Sequence, residues 1–232
     1  MNIRRGLWIG LNSLVTFFLM PLIGWWIGGG SFWPLQNMDS ITSVLAEPAR
    51  AAYLLVAICR AALIGGLASQ LPRRNPQLTM NSGSIHWRNI ALETVLVLGP
   101  FCDHRAILVL GDSPFLRWCG VILFVLGVGL QLWANFTYAR VAARVKADPS
   151  DHILVVEGPF RWLRYPDNLG MLVFSLGAAL VFRSWIGLGA VVFMLNFMIM
   201  RMNEVEKDSS RKFGIQWTAY SRNSWRLVPY IY

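Results

Sequence analysis

The stretch HILVVEGPFRWLRYPDNLG, His152 to Gly170, decides how the rest of the chain is read. It is a long polar interruption late in an apolar chain. It opens on a β-prone run, Ile153 to Val156. Gly158-Pro159 then ends any helix, because proline lacks an N–H and fixes φ. Tyr165-Pro166 is a second break, since the residue before a proline is pushed out of the helical region. Arg161, Trp162 and Arg164 lie between the breaks, and Leu169 to Phe182 resumes the apolar pattern. Two readings fit these residue types. One is a membrane-surface loop anchored by Arg and Trp. The other is a binding site at the mouth of a helical bundle.

Composition selects the setting. The chain has 232 residues, of which 55% are hydrophobic and 14% charged, and its mean hydropathy is +0.47. A soluble domain has about 25% charged residues. The deficit, with 11 Trp and 13 Phe, argues for an integral membrane protein. Net charge is +9. In a soluble protein that would suggest nucleic acid, but here the bases lie between apolar runs and read as topology signals and lipid-head contacts. No nucleic-acid partner is expected. Cys59, Cys102 and Cys119 are scattered and form no metal spacing, and the histidines are equally dispersed, so no metal site is expected.

Apolar runs at Leu7–Gly29, Arg50–Leu71, Ile90–Leu110, Phe115–Tyr138, Leu169–Phe182 and Trp185–Met200 predict about six transmembrane helices. The first run is too long for a signal peptide, and Pro21, Trp25 and Trp26 favour a retained helix. Arg60 lies near the centre of the second, where a charge is costly unless it faces the bundle. The third is the most polar, with Glu93 near one end and interruptions at Gly99-Pro100 and Asp103-His104-Arg105. Gly120, Gly127 and Gly129 in the fourth permit close helix contact. The last two runs, joined by Arg183-Ser184, predict an antiparallel hairpin. Six spans put Arg4, Arg5, Arg73, Arg74, Arg88, Arg140, Arg144, Lys146, Arg161, Arg164 and the basic tail on one side. The other side receives only Arg50, Arg105, Arg117 and Arg183. By the positive-inside rule both termini, the central loop and the tail are cytoplasmic.

The central loop and the tail therefore meet at one membrane face. Arg161, Arg164 and Arg201 can hold a carboxylate or phosphate in fork geometry. Glu204 and Glu206 can accept from a sugar or an ammonium, and Phe160, Trp162 and Tyr165 can stack on a planar base. Such a set suits a nucleotide-like cofactor beside a lipid-facing substrate.

The ordered residues His152, Leu154-Val155, Gly158-Pro159-Phe160-Arg161, Arg164-Tyr165-Pro166 and Gly170 resemble the isoprenylcysteine carboxyl methyltransferase and phospholipid methyltransferase family. So do Arg183-Ser184-Trp185, Arg201, Phe213-Gly214, Tyr220 and Arg226-Leu227-Val228-Pro229. The resemblance covers about half the chain, from Phe115 onward. It implies a division into N-terminal transmembrane helices, 1–114, and a methyltransferase-like membrane core with its tail, 115–232. It implies an all-α integral membrane fold with S-adenosylmethionine at the cytosolic face and a lipidic or small apolar acceptor entering from the bilayer. By the same resemblance His152, Leu154, Val155, Phe160, Arg164, Tyr165, Pro166, Asp167, Asn168 and Glu206 would bind the cofactor, and Arg201 and Glu206 would carry catalysis, with Arg201 orienting the acceptor. The family's Arg-His-Pro-x-Tyr stands here as Arg164-Tyr165-Pro166-Asp167-Asn168, and the first of its two acids is Val205. Of Glu204 and Glu206, which lie about 200° apart on a helix, only one can face the pocket, and the resemblance implies Glu206, which keeps the family's register counted from Arg201 and from Phe213-Gly214.

The tail is also similar to the end of the membrane sterol reductases, through Lys212-Phe213-Gly214, Trp217, Tyr220 and the run from Trp225 to Tyr232. That second resemblance implies NADPH and reduction. A non-catalytic family member binding lipid or a protein partner is the third reading.

Overall fold

The computed structural model describes residues 3–29, 38–70, 82–144 and 153–227. The chain opens with α1 (Ile3–Leu14), one π-helical turn (Val15–Leu19) and α2 (Met20–Gly28), which follow one another without a break. Then come α3 (Met38–Ala46), α4 (Pro48–Gln70), α5 (Ser82–Arg105), α6 (Pro114–Arg144), α7 (Pro166–Val181), α8 (Trp185–Phe213) and α9 (Ile215–Arg222). The protein is an all-α integral membrane protein. Among the described residues four helices are long and apolar enough to cross a membrane, at Leu7–Gly28, Pro48–Gly66, Pro114–Arg144 and Trp185–Phe213, and α7 is a shorter apolar helix.

Local chemistry sets the boundaries. Pro48, Pro114 and Pro166 stand first in α4, α6 and α7, where a missing N–H leaves no bond unmade. Ser184 caps α8, its Oγ accepting from the Gly187 N–H at 3.0 Å. Gly214, with φ of 51°, ends α8 in the left-handed region that glycine tolerates. The expected hairpin of two short segments is α7 and α8, but α8 does not stop at Met200. It continues for 29 residues through the polar tail to Phe213, a length of about 43 Å, well beyond a hydrocarbon core of about 30 Å. The interruption expected at Gly99-Pro100 also does not occur. Pro100 lies inside a continuous α5, which is held between α2 and α8.

The core pair is α6 and α7, packed main chain to main chain. A Cβ at Gly127 would lie 2.6 Å from the Gly170 carbonyl oxygen, and one at Gly120 2.8 Å from that of Gly177. Reciprocal additions at Gly170 and Gly177 collide equally. Gly129 has no heavy atom within 4 Å of its added Cβ, so it takes no part in this contact. Phe17, Phe124, Phe174, Tyr53 and Phe182 fill the centre; three of their pairs meet edge to face, and the Tyr53 and Phe124 rings are tilted with centroids 4.5 Å apart.

Two buried charges brace this bundle. Arg60 donates to Ser13 Oγ at 2.7 Å and Gln131 Oε1 at 2.9 Å, and lies 3.9 Å over the Phe17 ring. It thereby ties α4 to α1 and α6. At the end of the bundle where α7 stops, Asp103 receives Arg117 at 2.9 and 3.1 Å and Arg183 at 2.7 and 2.9 Å. Arg50 stands 3.7 Å away. Arg117 also donates to the Val181 carbonyl at 2.7 Å. One acid thus joins α4, α5, α6 and the α7–α8 turn.

Candidate functional site

The opposite end of α6 and α7 carries the central loop. Ile153–Val156 forms no regular element, although its residues are β-prone, and pairs with no strand among the described residues. Its main chain makes no hydrogen bond to another described backbone. Gly158 follows with φ of 58°, placed so tightly on α6 that a Cβ would lie 2.7 Å from Thr137 Oγ1. Gly158–Arg161 then forms a 3-10 turn. The short turn and the tight contact together aim Phe160 to Tyr165 across the end of the bundle.

The tail meets that segment directly. The Trp225 N–H donates to the Trp162 carbonyl at 2.8 Å, the Arg164 N–H to Trp225 O at 2.7 Å, and the Tyr165 N–H to Arg226 O at 3.3 Å. Leu163 and Trp225 form a parallel bridge. The Tyr220 hydroxyl donates to the Phe160 carbonyl at 2.7 Å, and burial raises its pKa to about 12. Leu227 is buried against Met194, Met198 and Met202 of α8. Residues about sixty apart in sequence thus close one structure.

Its charged centre is Glu206. Oε1 accepts from Arg164 Nη1 at 2.6 Å and from Arg226 Nε at 3.0 Å, while Oε2 pairs with Arg226 Nη2. Arg226 Nη1 also donates to Asn203 Oδ1 at 3.2 Å. The side chains of Glu206 and Arg164 are 12% and 14% exposed, and that of Arg226 is 27% exposed. Arg226 is therefore the outer of the two cations. Glu204 is exposed, so Glu206 is the acid that faces the loop. Tyr165 stands behind the group, its hydroxyl donating to the Met202 carbonyl at 3.4 Å. Burial first, and the Glu206 charge second, push its pKa up.

The remaining expected site residues fall as follows. His152 lies outside the described residues. Val155 and Pro166 are buried, and Leu154, Phe160, Asp167, Asn168 and Arg201 are half-buried. Asp167 precedes Gly170 and Phe174 by three and seven residues, which puts it on the α6-facing side of α7. Arg201 shares an α8 face with Val205, four residues on. The residue missing from the expected site is Arg226. Its signal was available in the terminal Arg226-Leu227-Val228-Pro229 string, but nothing local in that string points to Glu206.

This arrangement accommodates the parts of a sulfonium nucleoside unequally. The apolar Ile153–Val156 segment, whose main chain bonds to no other described backbone, and Phe160 suit a nucleoside, which needs main-chain donors and acceptors and a flat apolar contact. The amino-acid end, with an ammonium and a carboxylate, meets a glutamate and two guanidinium groups that already pair with each other.

Residues 115–213 match the sequence model of the phospholipid methyltransferase family, in agreement with the resemblance read over the C-terminal half. No curated protein sequence matches the chain. A solved structure of a eukaryotic intramembrane Ras methyltransferase, isoprenylcysteine carboxyl methyltransferase without a monobody, is similar at 17% identity. The match covers 96% of this chain and 98% of that one, with a TM-score of 0.45.

Proposed function

We propose that this protein, with a phospholipid methyltransferase segment at its core, transfers a methyl group from S-adenosylmethionine to a lipidic or small apolar acceptor that reaches the site from the bilayer. The observation that supports this most is the joining of loop and tail at one end of a membrane bundle, within reach of both water and lipid. The donor carries its own leaving group, so the protein has to align donor and acceptor and exclude water. In this reading Leu154, Val155 and Phe160 hold the nucleoside, with His152 and Asn168 completing its surroundings. Tyr165, Pro166 and Asp167 set the first turn of α7 beneath it. Arg201, on the membrane side of Glu206 along α8, orients the acceptor. Glu206 serves the site through Arg164 and Arg226. The arginine asymmetry of the sequence supports a cytoplasmic position for this face and both termini.

Calorimetry on the purified protein with S-adenosylmethionine and with NADPH tests the proposal. Saturable binding of the first alone is expected. Binding of NADPH in its place would make the protein a reductase, and binding of neither would remove it from cofactor chemistry altogether.

A further inference from the structure

We propose that Arg140 and Arg161 seat the phosphate of an anionic phospholipid in the leaflet beside the central loop, with Trp133, Phe136 and Trp162 against its acyl chains, and that the seated lipid holds the loop to the tail. The proposal stands apart from methyl transfer.

Depth is its first support. Trp118 and Trp185 are exposed at the end of the bundle where Asp103 gathers its arginines, and exposed Trp collects at membrane interfaces. A helix rises about 1.5 Å per residue, so Arg140 stands about 33 Å along α6 from Trp118. That is just past a hydrocarbon core of about 30 Å, at the level of the opposite row of phosphates. Trp133 lies about 10 Å short of Arg140 along the helix, where acyl chains begin.

The second support is the arrangement of side chains. Trp133, Phe136 and Arg140 are spaced by three and four residues and share one face of α6. That face is turned away from Gly120 and Gly127, which meet α7. Trp133 and Phe136 are each about half exposed, and the Arg140 guanidinium lies 4.8 Å over the Phe136 ring. The loop joins the same patch. Its Trp162, also about half exposed, meets Trp133 edge to face with centroids 6.3 Å apart. Arg161, next to it, is exposed.

The third support is charge. Arg144 is paired with Glu157 at 2.8 Å, and Arg164 with Glu206 at 2.6 Å. At the far end Arg117 and Arg183 are taken up by Asp103. The side chains of Arg140 and Arg161 have no acid and no hydrogen-bond acceptor among the described residues. Two uncompensated guanidinium groups at phosphate depth, beside exposed aromatic rings, match an amphiphile with net negative charge. A soluble anion would leave the rings uncovered, and a zwitterionic lipid brings a cation of its own. Trp162 carries the contact inward. Its ring is on the lipid side, while its carbonyl accepts from the Trp225 N–H at 2.8 Å.

The test compares phosphatidylglycerol with phosphatidylcholine of the same acyl chains. Native mass spectrometry of the full chain in detergent, with the two lipids supplied in equal amounts, measures which is retained. Wild type should prefer phosphatidylglycerol. Arg140→Gln and Arg161→Gln should each cut that preference about fivefold, the effect of one basic residue at an anionic surface. Arg140→Lys should keep most of it. Arg105→Gln, which removes an exposed cation at the far end of α5, should change it by less than about twofold. In nanodiscs, hydrogen exchange at the Arg164 and Trp225 amides should be slower with phosphatidylglycerol than with phosphatidylcholine alone. In the double variant Arg140→Gln/Arg161→Gln the two lipids should give the same exchange, equal to wild type in phosphatidylcholine, which also shows that the variant is folded. No wild-type preference, or an equal loss with Arg105→Gln, would overturn the proposal. Displacement of the lipid by inorganic phosphate would overturn it in favour of a soluble-anion site. A preference without any change in exchange would overturn the part given to the loop.

Discussion

Replacing Glu206 by Gln tests the clasp itself, in the absence of any ligand. The carboxylate makes contacts to two guanidinium groups, at 2.6 and 3.0 Å on Oε1 and to Arg226 Nη2 on Oε2. A hydrogen bond to a charged group contributes about 1.5–3 kcal/mol. An exposed ion pair is worth under about 1 kcal/mol, whereas breaking a buried one costs about 3–5 kcal/mol. Glu206 is 12% exposed and its partners 14% and 27%, so the site lies between these limits, nearer the buried one. The amide keeps one acceptor oxygen but loses the charge, and it turns an NH2 toward a guanidinium. The cost is then about 2–4 kcal/mol, or about 30- to 1,000-fold in the opening equilibrium. The amides of Arg164 and Trp225, which bridge loop and tail at 2.7 and 2.8 Å, report that opening by hydrogen exchange. Their exchange should accelerate by this factor in Glu206→Gln. Glu204→Gln, at an exposed position, should change it by no more than about twofold. Equal effects of the two substitutions, or none from Glu206→Gln, would show that the main-chain bonds hold the tail without the ion pairs.

Two further outcomes follow from the geometry. Gly127→Ala drives a methyl against the Gly170 carbonyl and should lower stability in detergent by about 1–3 kcal/mol, while Gly129→Ala should stay within about 0.5 kcal/mol; thermal melts of the two compared with wild type decide it. For Tyr220, a pKa raised from 10.0 to about 12 means that the neutral phenol is favoured in the folded tail. Its contribution is complete below pH 10 and is lost as pH rises toward 12. Wild type should therefore lose more stability over this interval than Tyr220→Phe, and parallel melts of the two would refute the assignment.

The sequence carried the apolar runs, the hairpin and the register of α8 in a form that could be read directly. Helix geometry let only one of Glu204 and Glu206 face the loop, and the choice of Glu206 came from the register of the resembled family, counted from Arg201 and Phe213-Gly214. The partners of Glu206 were not local. Arg226 lies twenty residues on, beyond Gly214 and a second helix, and reaches Glu206 because the tail folds back along Trp162 to Tyr165. Nothing in the residue types at either end announces that return. The end of α8 was hidden for a similar reason. A drop in hydropathy after Met200 marks where lipid ends, while the helix ends where Gly214 takes its positive φ, and the two boundaries are set by different physics.

The arginines of the sparse side show the same limit from the opposite direction. Arg50, Arg105, Arg117 and Arg183 enter the topology argument as charges that oppose the majority. Arg50, Arg117 and Arg183 in fact gather on Asp103, whose carboxylate is 1% exposed, and Asp112 reaches Arg183 at 2.9 Å. Fixed beside buried Asp103 and exposed Asp112, they present less field to the lipid surface than their number suggests. The positive-inside rule counts Lys and Arg rather than net charge, so the orientation expected from the sequence rests on the count itself. The arginines of the loop and tail divide differently: Arg164 and Arg226 share the single acid Glu206, and Arg161 is exposed. The same asymmetry leaves cations at the end of the bundle where a carboxylate-bearing ligand would arrive.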